Sequence, residues 1–510
     1  MTPNPKTFIK SENFIILTEP DTEFEKYLSE AYQLTQREPK ILEMIEQDLQ
    51  KEALKQKKKR LDDQQWLDSQ TPLLADIEEM KSSEISAETL KLQTGCPRMT
   101  PEVVFIFLMI RGYLGGIKSQ VSQIFLRESM TVRLFLIHRG IKMPGMSTIL
   151  DNINGVSNET RQFIFDAQIR MIVDENLDHF DILRIDSTAV EGNTTFPTDS
   201  MIIYRLVERL YHRGRSLHKL GIRPMAEGNF DFVIKEMKKQ AKLIAFETGK
   251  KDSEKKRKTH YKLLLKQAQN AYNAFLKEMP EIEANAQQVN QIPSMKTRLI
   301  RFIEMMLEDL EHLQQVMSYC SKRVFEQAKI SSTEKVLSLS DPDAAFIQKG
   351  NREAVIGYKP QLGRSGNGFI SVLITPRANA ADSGQLDPVV SEHLRCTGII
   401  PYEVSTDDGY ANRPEREKWI NQGVKVFSIN GSKGKKMTPQ EDWDSDIYLD
   451  ARNGRSSAES LMFHLKHSFH FGRVMRRGLE NVRAELLEKA LAYNFCRTLE
   501  LKKRKLRQVA

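Results

Sequence analysis

From Asp341 onward the apolar pattern changes from helical spacing to strand spacing, and this change limits the available folds more than any other feature. Val355-Ile-Gly-Tyr-Lys359 and Gly368-Phe-Ile-Ser-Val-Leu-Ile-Thr375 read as strands. The Gly363-Arg-Ser-Gly-Asn-Gly368 stretch between them is a hairpin signal. A helix around Leu386–Cys396 then leads to a strand at Tyr402–Thr406, which runs directly into Asp407-Asp-Gly-Tyr410. Another helix, Pro414–Gln422, is closed by Gly423 and followed by a strand at Val424–Ile429. Strands that first pair antiparallel and then alternate with helices require a mixed sheet covered by helices.

One earlier stretch has the same character. Asp181-Ile-Leu-Arg-Ile-Asp-Ser-Thr-Ala-Val190 reads as a strand with Asp186 near its centre. A carboxylate among apolar residues is expensive to bury unless something pairs with its charge. Taken alone, Asp186 reads as a strand-end residue capping a turn. Its chemical reading depends on acidic groups elsewhere.

Helical patterns dominate the rest. Residues 1–95 are polar and helical, with Lys57-Lys-Lys-Arg60 in a charged run. Thr100-Pro101 opens an apolar helix over about Glu102–Leu114, with Thr100 as N-cap and Gly115-Gly116 at its end. Shorter helices follow at Lys118–Arg127 and Thr131–Arg139. A further helix from Ser147 is a candidate recognition helix in a helix-turn-helix. Thr198 is placed to cap a helix with an apolar face at Ile202, Ile203, Leu206, Val207 and Leu210. Further on, Leu299, Ile303, Met306, Leu310, Leu313, Met317, Cys320 and Val324 alternate steps of four and three. That heptad seam needs a partner helix, and the segment holding Tyr261–Leu265 and Phe275 can supply one as an antiparallel hairpin.

The chain carries a net charge of +8, and residues 461–510 alone hold five Lys and seven Arg against four Glu. A basic block with Arg473, Arg476, Arg477 and Lys502-Lys-Arg-Lys505 suits a polyanion such as DNA. The four scattered cysteines form no CxxC pair, which argues against structural zinc and fits a reducing compartment. No apolar run approaches the roughly 20 residues that a membrane helix requires, and the N-terminus shows no secretory pattern.

Asp186, Asp407 and Glu459 are carboxylates on separate elements, the donor type that hard divalent cations prefer. His464, His467 and His470 recur every third residue, but such steps drift around a helix and do not converge on a metal. Gly431-Ser-Lys-Gly-Lys-Lys436 lacks the spacing of a nucleotide-binding loop and reads as a basic loop, with Lys433, Lys435 and Lys436 facing DNA.

The chain resembles the DDE transposases of bacterial insertion sequences, most closely the ISNCY group. The resemblance is carried by Ile185-Asp-Ser-Thr188, Ser340-Asp-Pro-Asp-Ala344, Gly357-Tyr-Lys359, Asn379-Ala-Ala-Asp382, Thr406-Asp-Asp-Gly-Tyr410 and Arg455-Ser-Ser-Ala-Glu459. In the family's D-x-G-[YF] motif the metal-binding aspartate comes first, which selects Asp407; Asp408 stays open as its alternative. Related transposases carry Tyr-x2-Arg-x3-Glu-x6-Lys around the glutamate, and Arg455, Glu459 and Lys466 stand at those offsets. Arg452 occupies the Tyr position, a departure that leaves the tyrosine's role in doubt.

The resemblance implies an α/β fold: an RNase H-like mixed five-stranded sheet flanked by helices, with an N-terminal helical region. A large all-helical insertion would separate the first and second core strands. The order of elements divides the chain into an accessory helical segment (1–99), a helical region with the candidate helix-turn-helix (100–175) and the first part of the core (176–197). The helical insertion (198–337), the rest of the core (338–480) and a basic C-terminal helix and tail (481–510) follow. The activity implied is metal-dependent DNA cleavage and strand transfer at insertion-sequence ends. Asp186, Asp407 and Glu459 would hold two Mg²⁺ ions, with Mn²⁺ as a substitute. Arg455, Lys466, Lys433, Lys435, Lys436, Arg473, Arg476 and Arg477 would contact DNA. Expected partners are double-stranded transposon-end and target DNA and a second copy of the chain, with no membrane, in a cytoplasmic, nucleoid-associated setting. A structure-selective nuclease of the same fold and a transposase-derived DNA-binding protein are the alternatives.

Overall fold

The computed structural model describes residues 23–69, 99–115, 129–138, 140, 142–194, 198–223, 230–247, 252–289, 291–331, 334–348 and 353–509. The helix expected at Lys118–Arg127, residues 1–22 and residues 70–98 lie outside these residues. The chain is a mostly helical α/β protein that divides into two compact units. One comprises Met1–Glu52, Pro97–Thr194 and Asp343–Ala510; the other comprises Ala53–Cys96 and Thr195–Pro342.

The first unit holds every described strand. These are β1 (Ile182–Ser187), β2 (Val190–Glu191), β3 (Ala345–Ile347), β4 (Val355–Tyr358), β5 (Gln361–Arg364), β6 (Ile370–Ile374), β7 (Glu403–Asp407) and β8 (Val426–Asn430). Five form a mixed sheet in the order β6-β5-β1-β7-β8, and β2-β4-β3 form a small second sheet. In the main sheet β6, β5 and β1 are antiparallel neighbours, while β1, β7 and β8 run parallel.

Two sequence expectations change here. The stretch 181–190 is two strands in two sheets, because the backbone turns off at Thr188, whose N–H donates to Pro360 O at 3.1 Å. The hairpin across Gly363–Gly368 pairs β6 with β5, not with Val355–Lys359, since β4 leaves for the small sheet before Pro360. Residues 361–364 form a strand that the sequence alone does not signal, because a Gln-Leu-Gly-Arg run has little strand propensity.

Alternation along the strands gives the main sheet two unlike faces. Leu183, Ile185, Val404, Phe427 and Ile429 point to one side, where they form a core with Leu386, Val389, Val390 and Trp419 of the helices Leu386–Thr397 and Arg413–Gln422. Arg184, Asp186, Glu403, Ser405, Asp407 and Ser428 occupy the alternate positions. Helices Asp446–Gly454 and Ser456–Ser468 pack on this polar side.

The helix Pro101–Tyr113 is buried along Val103–Ile110 and packs on the C-terminal helix Leu479–Val509. Pro101 occupies its first turn, but Thr100 makes no side-chain cap. The candidate recognition helix, Met146–Gly155, packs on Pro101–Tyr113 through a face that includes Ile149 and Ile153 and leaves Thr148 and Asp151 exposed.

The second unit is helical. Its helices Asp199–Lys219, Phe230–Phe246, Ser253–Gln288 and Pro293–Phe325 share one core, and Thr198 caps the first by accepting from Met201 N–H. The heptad positions Leu299 through Cys320 are buried against Asp199–Lys219 and Ser253–Gln288, so the seam is closed within the chain. Buried Arg223 and Glu278 pair at 2.6 Å, and Asp309 accepts from both Arg209 and Arg213.

Candidate active site

Asp186 and Asp407 meet because β1 and β7 are parallel and in fixed register. Ile182 pairs with Glu403, Leu183 with Val404 and Arg184 with Ser405. The same offset carried two residues further sets Asp186 beside Asp407 on the same sheet face. Neighbouring strands are spaced about 4.8 Å apart, so the two backbones carry these residues side by side, and both charges act on the Tyr410 hydroxyl. Asp186 is only 6% exposed and accepts from Ser187 N–H at 2.7 Å. Asp407 ends its strand, and its Oδ1 accepts from Gly409 N–H at 2.9 Å.

A third carboxylate, to which sequence analysis gave no role, stands beside them. A Cβ built on Gly409 would lie 2.9 Å from Asp407 Oδ1 and 3.4 Å from Asp382 Oδ2, so both side chains face one small volume. Asp382 pairs with Lys359 Nζ at 2.9 Å and accepts from Gln361 Nε2 at 3.1 Å. Gln361 Oε1 in turn accepts from the Tyr410 hydroxyl. Burial, and then the charges of Asp382, Asp186 and Asp407, push that hydroxyl well above the usual tyrosine range. Lys359, Asp382 and Tyr410 each close a motif noted above, which is the signal that could have found them. Gln361 carried none.

The structure gives Asp408 a different task from Asp407. Its carboxylate accepts from Lys433 N–H and Gly434 N–H at 3.0 Å each, and from the Ser432 hydroxyl at 3.2 Å. It therefore satisfies the first turn of the helix Ser432–Met437. Burial acts to raise its pKa, but the N–H donors of Gly434 and Lys433 and the Ser432 hydroxyl hold it below the ordinary carboxylate value. Lys433, Lys435 and Lys436 consequently stand exposed on a short helix, not on the loop expected from sequence.

Glu459 lies on the helix Ser456–Ser468, which covers the polar face at β1. Arg184 donates to Ser457 Oγ at 3.0 Å, and Gly454 leaves room for the Arg184 guanidinium. Glu459 itself is 60% exposed and pairs with Arg455. The structure thus gathers Asp186 with Asp407, whereas Glu459 sits on the neighbouring helix and is not drawn in with them. Among the described residues, no group of three or more His, Cys, Asp or Glu side chains is arranged to hold a metal ion.

The remaining expected contacts divide by exposure. Lys466 is partly buried, with its stem beside Gly472. Arg473 is exposed, and Arg477 is also exposed while donating to Asn193 O. Arg476 is a correction: it turns inward to Glu488, at 2.6 Å, because that buried carboxylate attracts three guanidiniums. The basic C-terminal end is likewise engaged, with Lys502 paired to Glu30 and Glu175 and Lys503 to Glu23. Arg452 stacks 4.1 Å from the Trp443 ring and donates to Trp443 O, a packing role unlike that of a free tyrosine. His464 packs edge-on to Phe469 and Tyr493, and His467 lies against Phe463.

Residues 328–495 match the family described as a transposase DDE domain, a span that contains Asp382, Asp407 and Glu459. Asp186 lies outside it. No curated protein and no solved structure matches the chain. No helix among the described residues is long and apolar enough to cross a membrane.

Proposed function

We propose that this chain is a DDE transposase that binds the ends of an insertion sequence, cleaves DNA there and joins the freed 3′-hydroxyl to target DNA. One observation carries the reading: the β1–β7 register brings Asp186 beside Asp407, and Asp407 belongs to the span that matches a transposase DDE domain. The order β6-β5-β1-β7-β8, antiparallel on one side of β1 and parallel on the other, supports an RNase H-like core. The helical block at 198–337 then reads as an insertion between core strands, suited to contact DNA or to build a dimer. The candidate helix-turn-helix at 100–175 is the segment proposed to read the terminal repeats.

The donor set fits Mg²⁺ or Mn²⁺: two adjacent carboxylates, one of them buried at a strand end, are hard oxygen ligands. Bound ions would activate water and stabilise the attacking and leaving oxygens of an in-line displacement. Asp186 and Asp407 would hold them, and Glu459 would complete the set by leaving Arg455. Arg455 is then released to hold a phosphate, as Lys466 does about three turns further along. Lys433, Lys435 and Lys436 contact the DNA backbone. Two copies of the chain act together, one for each transposon end.

The test supplies labelled DNA ends carrying 3′-hydroxyls, together with Mg²⁺ and a target duplex. Joined products that vanish with Asp186→Asn are the expected result. Cleavage without joining would identify a structure-selective nuclease instead. DNA binding that survives Asp186→Asn, with no cleavage by the parent chain, would identify a transposase-derived binding protein.

A further inference from the structure

The ion pair Lys359–Asp382 is unexplained by the roles assigned so far. Its side chains are 11% and 15% exposed, and Lys359 also donates to Ala380 O at 3.2 Å. Asp382 reaches both strands of the candidate site. Through Gln361 it is joined to Tyr410, three residues after Asp407. Gln361 is also the register partner of Ser187, the residue after Asp186. The pair therefore stands at the ends of β1 and β7, and Asp382 faces the same small volume as Asp407.

The geometry points to Lys359 and Asp382 as a positioning pair that sets how strongly Asp186 and Asp407 attract a divalent cation. This rests on the reading of those two carboxylates given above. As a pair the two charges nearly cancel, so the local field is set by Asp186 and Asp407. Removing the ammonium leaves one extra carboxylate facing the site. Removing the Asp382 charge leaves an ammonium without its partner beside it, which repels a cation. The two single substitutions should therefore act in opposite directions, and the double substitution should restore the balance. A purely structural contact would not produce opposite signs.

The experiment is calorimetric titration of the full chain with Mn²⁺, without DNA. Asp186→Asn is expected to abolish binding. Lys359→Met is expected to tighten it about tenfold and Asp382→Asn to weaken it about tenfold. The double variant should return to within about threefold of the parent, the coupling expected of neighbours. If one single variant does not fold, the sign of the other decides. Shifts in the same direction, or none in either variant while Asp186→Asn abolishes binding, overturn this inference alone. Binding that persists in Asp186→Asn overturns the carboxylate reading and the pair's role with it.

Discussion

Asp186 and Asp407 occupy the same level of adjacent parallel strands, 221 positions apart in sequence, on the polar face of a sheet whose other face is apolar core. The adjacency follows from alternation. Leu183 and Ile185 turn one way with Val404, and the residues between them turn the other way in register. Two like charges in this arrangement repel unless a cation joins them. Under the function proposed above, a divalent cation bound between them would offset that repulsion.

The two consecutive aspartates should separate cleanly on mutation. Asp408→Ala removes the cap of Ser432–Met437 and is expected to cost about 1 kcal/mol of stability while cleavage persists. Asp407→Ala is expected to abolish cleavage with a smaller change in melting. Gly431 makes the same case from the backbone: at φ 137°, an added Cβ would lie 2.3 Å from the Asp408 carboxyl carbon. Gly431→Ala should therefore destabilise by about 1–3 kcal/mol. Because the folded Asp408 pKa is lowered, its contribution is present above the ordinary carboxylate value of 3.8 and fades as pH falls below it. Denaturant titrations of each variant against pH provide the check.

Glu488 holds the first unit together from inside. Arg111, Arg161 and Arg476 reach it at 2.7, 2.8 and 2.6 Å, tying the helices Pro101–Tyr113 and Asn158–Asp174 to the C-terminal helix. Burial alone would raise its pKa, but the three guanidiniums hold it far below the carboxylate range. Glu488→Gln leaves three cations short of their counter-charge and is expected to cost about 3–5 kcal/mol. The denaturation midpoint of the full chain reads this directly.

His393 should make stability sensitive to mild acid. It is fully buried: Nε2 lies 3.0 Å from Phe180 O, which can only accept, so Nε2 donates and Nδ1 accepts from the Ser371 hydroxyl. That is the neutral ring, and burial pushes its pKa down from 6.5 to about 4. The unfolded chain then takes up a proton that the folded one refuses. Its contribution, about 3 kcal/mol, is complete above pH 6.5 and lost as pH falls towards 4. A proton-silent His393→Gln should flatten this slope, as measured by melting temperature across that window.

DNA affinity should respond to the exposed lysines and not to Arg476. Replacing Lys433, Lys435 and Lys436 together with Ala should make the salt dependence of binding shallower by about 2–3 in log–log slope. Arg476→Ala should leave that slope unchanged and lower stability, since its charge serves Glu488. Binding isotherms at several salt concentrations distinguish the two.

What could be read from sequence follows the range of the interactions involved. The β1, β7 and β8 strands and the helices between them were legible because alternation and caps are local. The closed heptad seam was legible for the same reason. The strand β5 was not, because Gln361-Leu-Gly-Arg364 becomes a strand only by pairing with β1 and β6. The basic tail read as DNA-binding because its partners are remote: Lys502 meets Glu30, 472 positions away. Asp382 lay in a recognised motif, yet only the turn that brings it to Gly409 gives it a place beside Asp407. Spacing puts Arg455 and Glu459 one helical turn apart, where they pair, but does not say how that helix sits relative to Asp186 and Asp407.

The most direct measurement is the anomalous signal of Mn²⁺ soaked into crystals of the full chain. The expected result is a peak shared by the Asp186 and Asp407 carboxylates, lost in Asp186→Asn crystals. Manganese bound elsewhere, with the Asp186 and Asp407 side chains turned apart and no ion between them, would contradict it.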